Sequence, residues 1–156
     1  MNRLRIVAIR PYSARIRSQV FATLEALDAR VQTAIKEGAT DDEALEAARS
    51  AEADVLLIPF HAHRDRKGAL VHGLGLIERI RAEIPAHAST PILCPISTVG
   101  LAAAGLLSAR IDEPVFDRVL LIHEDELDEA ELPELIERFL LEAGAFPRAV
   151  PTRGER

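Results

Sequence analysis

The sequence lacks several features that would define a function class. Its single cysteine, Cys94, excludes an internal disulfide. No apolar run approaches the ~18 residues of a membrane helix, and the N-terminal residues lead into a strand pattern instead of a signal-peptide core. No GxGxxG or Walker-type loop indicates a nucleotide site. A net charge of −6 and a pI near 5.4 argue against a general nucleic-acid binder. We therefore expect a cytoplasmic protein without nucleic-acid or membrane partners.

The rest of the sequence alternates between strand and helix patterns. Buried-strand patterns lie at 4–9, 53–59, 91–96 and 115–122, with a weaker one at 31–35. Helical patterns begin near Ser13, follow a capping box at 40–43, cover 73–83 and 99–109, and run from Pro133 to Gly144. This alternation predicts one α/β domain over 1–145, with a doubly wound, five-stranded parallel sheet of order 2-1-3-4-5. Residues 146–156 are predicted to be a flexible tail.

Several of these segments resemble the receiver domain of two-component response regulators. The resemblance covers about residues 3–143 and is carried by five segments: 3–11, 39–48, 53–57, 73–81 and 90–93. It implies a flavodoxin/CheY-like fold and a role in bacterial signal transduction. It also implies a site containing an aspartate nucleophile, an acidic pair for Mg²⁺, a lysine and a hydroxyl residue.

The residues at those site positions do not suit that chemistry. The acidic pair falls on Ala8 and Ile9, and the nucleophile falls on Pro59, or on Ile58 or Phe60 if the alignment slips by one. Ile122 or His123 stands at the lysine position, whereas Ser97 and Thr98 are possible counterparts of the hydroxyl residue. Mg²⁺ prefers carboxylate oxygens, which Ala8 and Ile9 cannot supply. The sequence therefore indicates a degenerate pseudo-receiver that is not an enzyme, uses no cofactor and works by binding proteins.

The predicted helix at 99–109 is apolar almost all round, which favours a covered outer face. In receivers this helix, the following strand and the last helix form the usual contact surface. The predicted interaction face comprises Val99, Leu101, Leu106, Leu107, Arg118 and Glu126. A homodimer through this helix, or binding of a protein partner, would cover it. Because no output domain is seen after residue 145, we expect the effect to be exerted in trans or within a larger protein.

The segment 60–72 is longer than the corresponding receiver loop. Either it is an insertion, or the next helix begins early, near Gly68. Its candidate ligand residues, together with a histidine at the end of a neighbouring strand, are His61, His63, Arg64, Arg66, Lys67, His72 and His123. A small-ligand or metal-binding domain is the alternative function, although a His-x-His pattern is a weak metal motif. Asp65, the only carboxylate of the loop, is an alternative phosphoryl acceptor.

Overall fold

The described part of the chain is built on a five-stranded parallel sheet. The computed structural model describes residues 4–9, 22–26, 29–33, 39–60, 63–96, 117–123 and 131–145. The strands of the sheet are β1 (Leu4–Ala8), β2 (Ala29–Thr33), β3 (Val55–Leu57), β6 (Ile92–Ile96) and β7 (Val119–His123). They lie in the order β2-β1-β3-β6-β7, and every neighbouring pair is parallel. The predicted α/β fold with a parallel sheet is confirmed.

Helices cover both faces of this sheet. The described helices are a segment at 22–26 (α1), α2 (Asp41–Ser50), α3 (Gly73–Glu83) and α4 (Leu132–Glu142), with a short 3₁₀ turn at Pro85–His87. One buried cluster joins α2 and α3 to one face of β1, β3 and β6. The other joins α1 and α4 to the opposite face. Because successive side chains of a strand point to opposite faces, unbroken apolar runs such as 55–58 contribute to both clusters.

The helix boundaries follow from local chemistry. Thr40 caps α2 by accepting a hydrogen bond from the Glu43 backbone N–H, and the Glu43 side chain accepts one from the Thr40 N–H, so the predicted capping box is confirmed. Pro133 stands in the first turn of α4, where its missing N–H costs no helical bond. Gly144 follows α4 with φ +67°, a conformation that favours glycine.

The structure differs from the sequence patterns at several places. The last strand begins at Val119, not at 115, because Asp117 and Arg118 form a turn in which Arg118 has φ +64°. The second strand begins two residues earlier than predicted, at Ala29. In α4, the apolar residue Leu135 lies on the outer side of the helix and is 38% exposed. None of the described helices is long and apolar enough to cross a membrane.

Segment 60–72 contains an additional element that the sequence patterns did not predict. Strands β4 (His63–Arg64) and β5 (Leu70–Val71) pair antiparallel as a small hairpin. Helix α3 begins at Gly73, so of the two alternatives for this segment the insertion is correct.

Candidate functional site

The carboxyl ends of β1, β3, β6 and β7 meet at one edge of the sheet, where parallel α/β proteins bind their ligands. Backbone pairing continues past β3: the Ile58 N–H donates to Leu93 O at 2.8 Å, and the Phe60 N–H donates to Pro95 O at 2.9 Å. On the other side, the Ile9 N–H donates to Leu57 O at 2.9 Å. This is the edge at which the resemblance to receiver domains leads us to expect a phosphorylation site.

Apolar side chains occupy this edge. Ala8, Ile9, Ile58 and Ile122 are completely buried in the two core clusters, and Pro59 is buried between Ile58 and Phe60 in the chain. None of these side chains has an oxygen that can bind Mg²⁺ or attack a phosphoryl group. Ser97 lies outside the described residues. Within the described part of the chain, no cluster of three His, Cys, Asp or Glu residues could hold a metal ion.

The sulfur of Cys94 is also sequestered. It lies in β6 within the cluster formed with α2 and α3, and it is fully buried. Burial raises the pKa of the Cys94 thiol to about 12, because a thiolate is poorly solvated there. Cys94 is therefore a core residue, and its thiol is not available as a nucleophile or metal ligand.

The hairpin beside this edge has a closely bonded turn. The Asp65 N–H donates to Ala69 O and the Gly68 N–H donates to Asp65 O, both at 2.9 Å. The Asp65 Oδ1 accepts from the backbone N–H groups of Lys67 at 2.8 Å and Ala69 at 3.0 Å. The Asp65 side chain is thus buried and used to order the turn. The turn has φ +85° at Gly68, where a side chain would be strained.

An ion pair fixes the hairpin to α2. Both terminal nitrogens of Arg66 donate to the carboxylate of Glu43, with a distance of 2.7 Å from Nη2 to Oε2. The same carboxylate completes the capping box with Thr40. The Arg66 hydrogen bonds, followed by the Thr40 N–H, hold the pKa of Glu43 at about 2, below its usual 4.5. The Arg66–Glu43 contact therefore links the hairpin to the N-terminus of α2.

The base of the hairpin is equally confined. Gly73 lies so close to the strand that a β-carbon there would be 2.2 Å from Pro59 O. The His72 Nδ1 accepts a hydrogen bond from the Gly75 N–H at 3.1 Å and caps α3. The rings of Phe60 and His72 lie 5.5 Å apart, centre to centre. The chain leaves the sheet after Phe60, forms the hairpin and returns to almost the same point.

Several of the candidate ligand residues make structural contacts within the chain. His72 caps α3, Arg66 pairs with Glu43, and Arg64 donates to Gly68 O at 2.8 Å. Lys67 is exposed at the turn. His61 lies outside the described residues. Only the backbone positions of His63, in β4, and His123, the last residue of β7, are described, so a joint metal site for these histidines stays a prediction.

Most of the predicted interaction face lies outside the described residues, namely Val99, Leu101, Leu106, Leu107 and Glu126. Arg118 is described, and it lies at the amino end of β7, away from the carboxyl edge. Its Nε donates to Ser89 O at 2.6 Å and its Nη2 donates to Ala143 O. Its guanidinium group therefore joins two segments of its own chain, which is a structural role that the prediction did not assign.

Two further polar residues with structural roles were not recognised from the sequence. Buried His87 donates from Nε2 to Ala48 O at 3.0 Å, and its Nδ1 lies 2.9 Å from Thr90 Oγ1, so it connects the end of α2 to the segment before β6. Half-buried Arg81 donates to His87 O and Thr90 O. Burial lowers the pKa of Arg81, and the nearby Arg118 charge adds to this effect. Apart from Thr90 Oγ1, their partners are backbone carbonyls, which leave no motif in the sequence.

Solved structures that are similar to this chain include response regulator receiver domains. The chemotaxis response regulator CheY4 of Vibrio cholerae is 22% identical, with 89% of this chain and 100% of that chain covered and a TM-score of 0.59. The signal receiver domain of an HD domain-containing protein from Pseudomonas fluorescens Pf-5 is 20% identical over 93% and 92% of the two chains, with a TM-score of 0.60.

The longer protein NtrX from Brucella abortus is also similar. It is 17% identical with a TM-score of 0.63, and the match covers 92% of this chain but only 28% of that one. No family model matches the sequence, and no curated protein matches it. The protein is similar to response regulator receiver domains in fold, and at these identities the likeness concerns the fold alone.

Proposed function

We propose that this protein is a phosphorylation-independent pseudo-receiver, which acts as a protein-binding adaptor or regulatory module in bacterial signal transduction. The observation that supports this most strongly is the apolar edge formed by Ala8, Ile9, Ile58 and Ile122 beside the buried Pro59. The strand order supports the receiver part of the proposal. When the two hairpin strands are left out of the numbering, the five parallel strands lie in the order 2-1-3-4-5.

Loss of the phosphorylation chemistry follows from several independent absences in the sequence. An aspartyl phosphate needs a carboxylate nucleophile, and Mg²⁺ needs oxygen ligands beside it. The chain contains only two lysines, Lys36 and Lys67, so neither can stand at the end of β7. Asp65 is a poor alternative acceptor, because its Oδ1 already accepts two backbone hydrogen bonds that favour the ordered turn.

Beryllofluoride with Mg²⁺ tests this proposal, because it mimics the phosphoryl group on a receiver aspartate. We expect no change in thermal midpoint and no chemical-shift change at the carboxyl edge, while a phosphorylatable receiver under identical conditions serves as the positive control. Saturable stabilisation that requires both Mg²⁺ and beryllofluoride would contradict the proposal. If it appeared, an Asp65→Asn variant would show whether Asp65 is the acceptor.

The binding role of the protein is expected at the predicted helix 99–109, whose apolar residues support a covered face. Light scattering of the wild type and a Leu101→Glu/Leu106→Glu variant tests whether this helix forms a homodimer. We expect a dimer that becomes a folded monomer. A wild-type monomer with the same mass and stability as the variant would remove the homodimer from the proposal.

A further inference from the structure

The hairpin turn at 64–68 carries two cations, Arg64 and Lys67, for which the described residues provide no acidic partner. Arg66 is neutralised by Glu43, and Asp65 is buried with Oδ1 bonded to the turn backbone. Arg64 uses one guanidinium nitrogen for Gly68 O, and Lys67 uses only its backbone N–H. Both side chains are exposed, and within the described part of the chain neither has a carboxylate in ion-pair distance. We propose that this turn is a docking point for a carboxylate-rich segment of a partner protein.

The position of the turn is defined before any partner binds. The bidentate Arg66–Glu43 contact joins its tip to α2, and the close approach of Gly73 to Pro59 fixes its base. Two cations on a preorganised turn lose less conformational entropy on binding than the same cations on a flexible loop. A locally positive turn on a chain with a net charge of −6 would also orient the protein towards an acidic surface.

A small-anion cradle fits this turn less well. Such a cradle needs unpaired backbone N–H groups, but those of Lys67, Gly68 and Ala69 all donate within the turn. We therefore assign the side-chain cations of Arg64 and Lys67 to the ligand. Nucleic acid is also disfavoured, since two cations neutralise few of its phosphates. Carboxylates on a protein segment need only a few charge-assisted hydrogen bonds.

The proposal rests on the proposed function in that the ligand belongs to a protein partner. Its test titrates an octaglutamate peptide into the full chain and follows the backbone amide signals at low salt. We expect the amide signals of residues 64–68 to shift saturably. Because exposed ion pairs are weak, an Arg64→Ala/Lys67→Ala variant is expected to bind about 2- to 30-fold less tightly.

The matched control is an Arg49→Ala/Arg138→Ala variant, which loses the same charge at sites where each arginine pairs with a glutamate of its own helix. We expect it to bind like the wild type. Equal weakening in both variants would mean general charge attraction and would overturn the proposal. Because the Arg64 side chain also donates to Gly68 O, its removal could disturb the turn, so a Lys67→Ala variant is measured separately. The Lys67 side chain makes no described hydrogen bond. Unchanged peptide binding by the Lys67→Ala variant would also count against the site.

Two competing ligands complete the test. Inorganic phosphate alone should not shift the turn signals, and a single-stranded oligonucleotide should bind less tightly than the peptide. Saturation by phosphate would replace the proposal with a small-anion site, and tighter oligonucleotide binding would replace it with a nucleic-acid contact. Neither result depends on the beryllofluoride experiment, so failure of the docking site and failure of the pseudo-receiver proposal can be told apart.

Discussion

Substitution of Gly73 by alanine should destabilise the protein, because the start of α3 lies against the backbone of the strand edge. The added β-carbon would be 2.2 Å from Pro59 O, 2.8 Å from Pro59 C and 2.9 Å from Phe60 Cα. The contact with the oxygen alone has to lengthen by about 0.8 Å to reach 3.0 Å, below which real β-carbons are almost never found. Since the opposing atoms belong to a buried backbone, the helix itself must move. Overpacking of this kind costs about 1–3 kcal/mol.

The neighbouring Gly75 provides the matched control. A β-carbon at Gly75 would be 3.3 Å from the His72 ring, so this ring has to shift by only a few tenths of an ångström while it keeps its hydrogen bond from the Gly75 N–H. Alanine also has the higher helix propensity, by up to ~1 kcal/mol. Urea denaturation should give a lower midpoint for Gly73→Ala with an unchanged m-value, and a midpoint for Gly75→Ala at or slightly above that of the wild type. Equal stability of Gly73→Ala and the wild type would refute the proposed close contact.

Three further predictions concern buried or paired groups. The lowered pKa of Glu43, about 2 against 4.5, means that its ion pair with Arg66 stabilises the fold above pH 4.5 and is lost towards pH 2. Thermal melts at pH 7 should therefore give a higher midpoint for the wild type than for Glu43→Gln, and this difference should disappear near pH 2. An equally large difference at pH 2 would contradict the prediction. His87→Ala should lower the free energy of unfolding by about 1–3 kcal/mol in urea, by removing a buried hydrogen bond and leaving a cavity, and unchanged stability would contradict this. Cys94, with a thiol pKa of about 12, should react with a disulfide reagent only after unfolding, so rapid labelling of the native protein would contradict its burial.

Much of the sheet was predictable because its strands are buried on both faces. Such strands read as continuous apolar runs, and the runs at 4–9, 53–59 and 91–96 contain β1, β3 and β6. The capping box at Thr40 and the helical spacing over 73–83 also act through near neighbours in sequence, so both helices begin where predicted. Local chemistry of this kind is visible in one sequence.

The hairpin at 63–71 was not predictable in the same way. Its strands are two residues long, too short for an alternating pattern, and its turn is fixed by the buried Asp65. Its link to α2 joins Arg66 to Glu43, which are distant in sequence, and nothing local identifies one arginine among several as the paired one. The same holds for Arg118. Its partners are backbone carbonyls, so the sequence does not show that its guanidinium group already bonds within the chain.

The candidate site was predictable mainly through what it lacks. The sequence alone indicated apolar residues at Ala8, Ile9, Pro59 and Ile122, and the structure buries each of them at or near the carboxyl edge. The histidine cluster was a weaker inference, because His72 serves as a helix cap. A sequence does not show whether a side chain already bonds within the protein or is available to a ligand. Only the structure distinguishes the two.

The most direct test of the account is the intact mass of the full chain after incubation with acetyl phosphate and Mg²⁺. A phosphorylatable receiver incubated alongside shows that the donor is active. The account predicts that the mass of this protein is unchanged, because no described residue at the carboxyl edge supplies a carboxylate nucleophile or an Mg²⁺ ligand. An acid-stable, base-labile gain of one phosphoryl group, dependent on Mg²⁺, would contradict the central claim that the receiver fold is present without its phosphorylation chemistry.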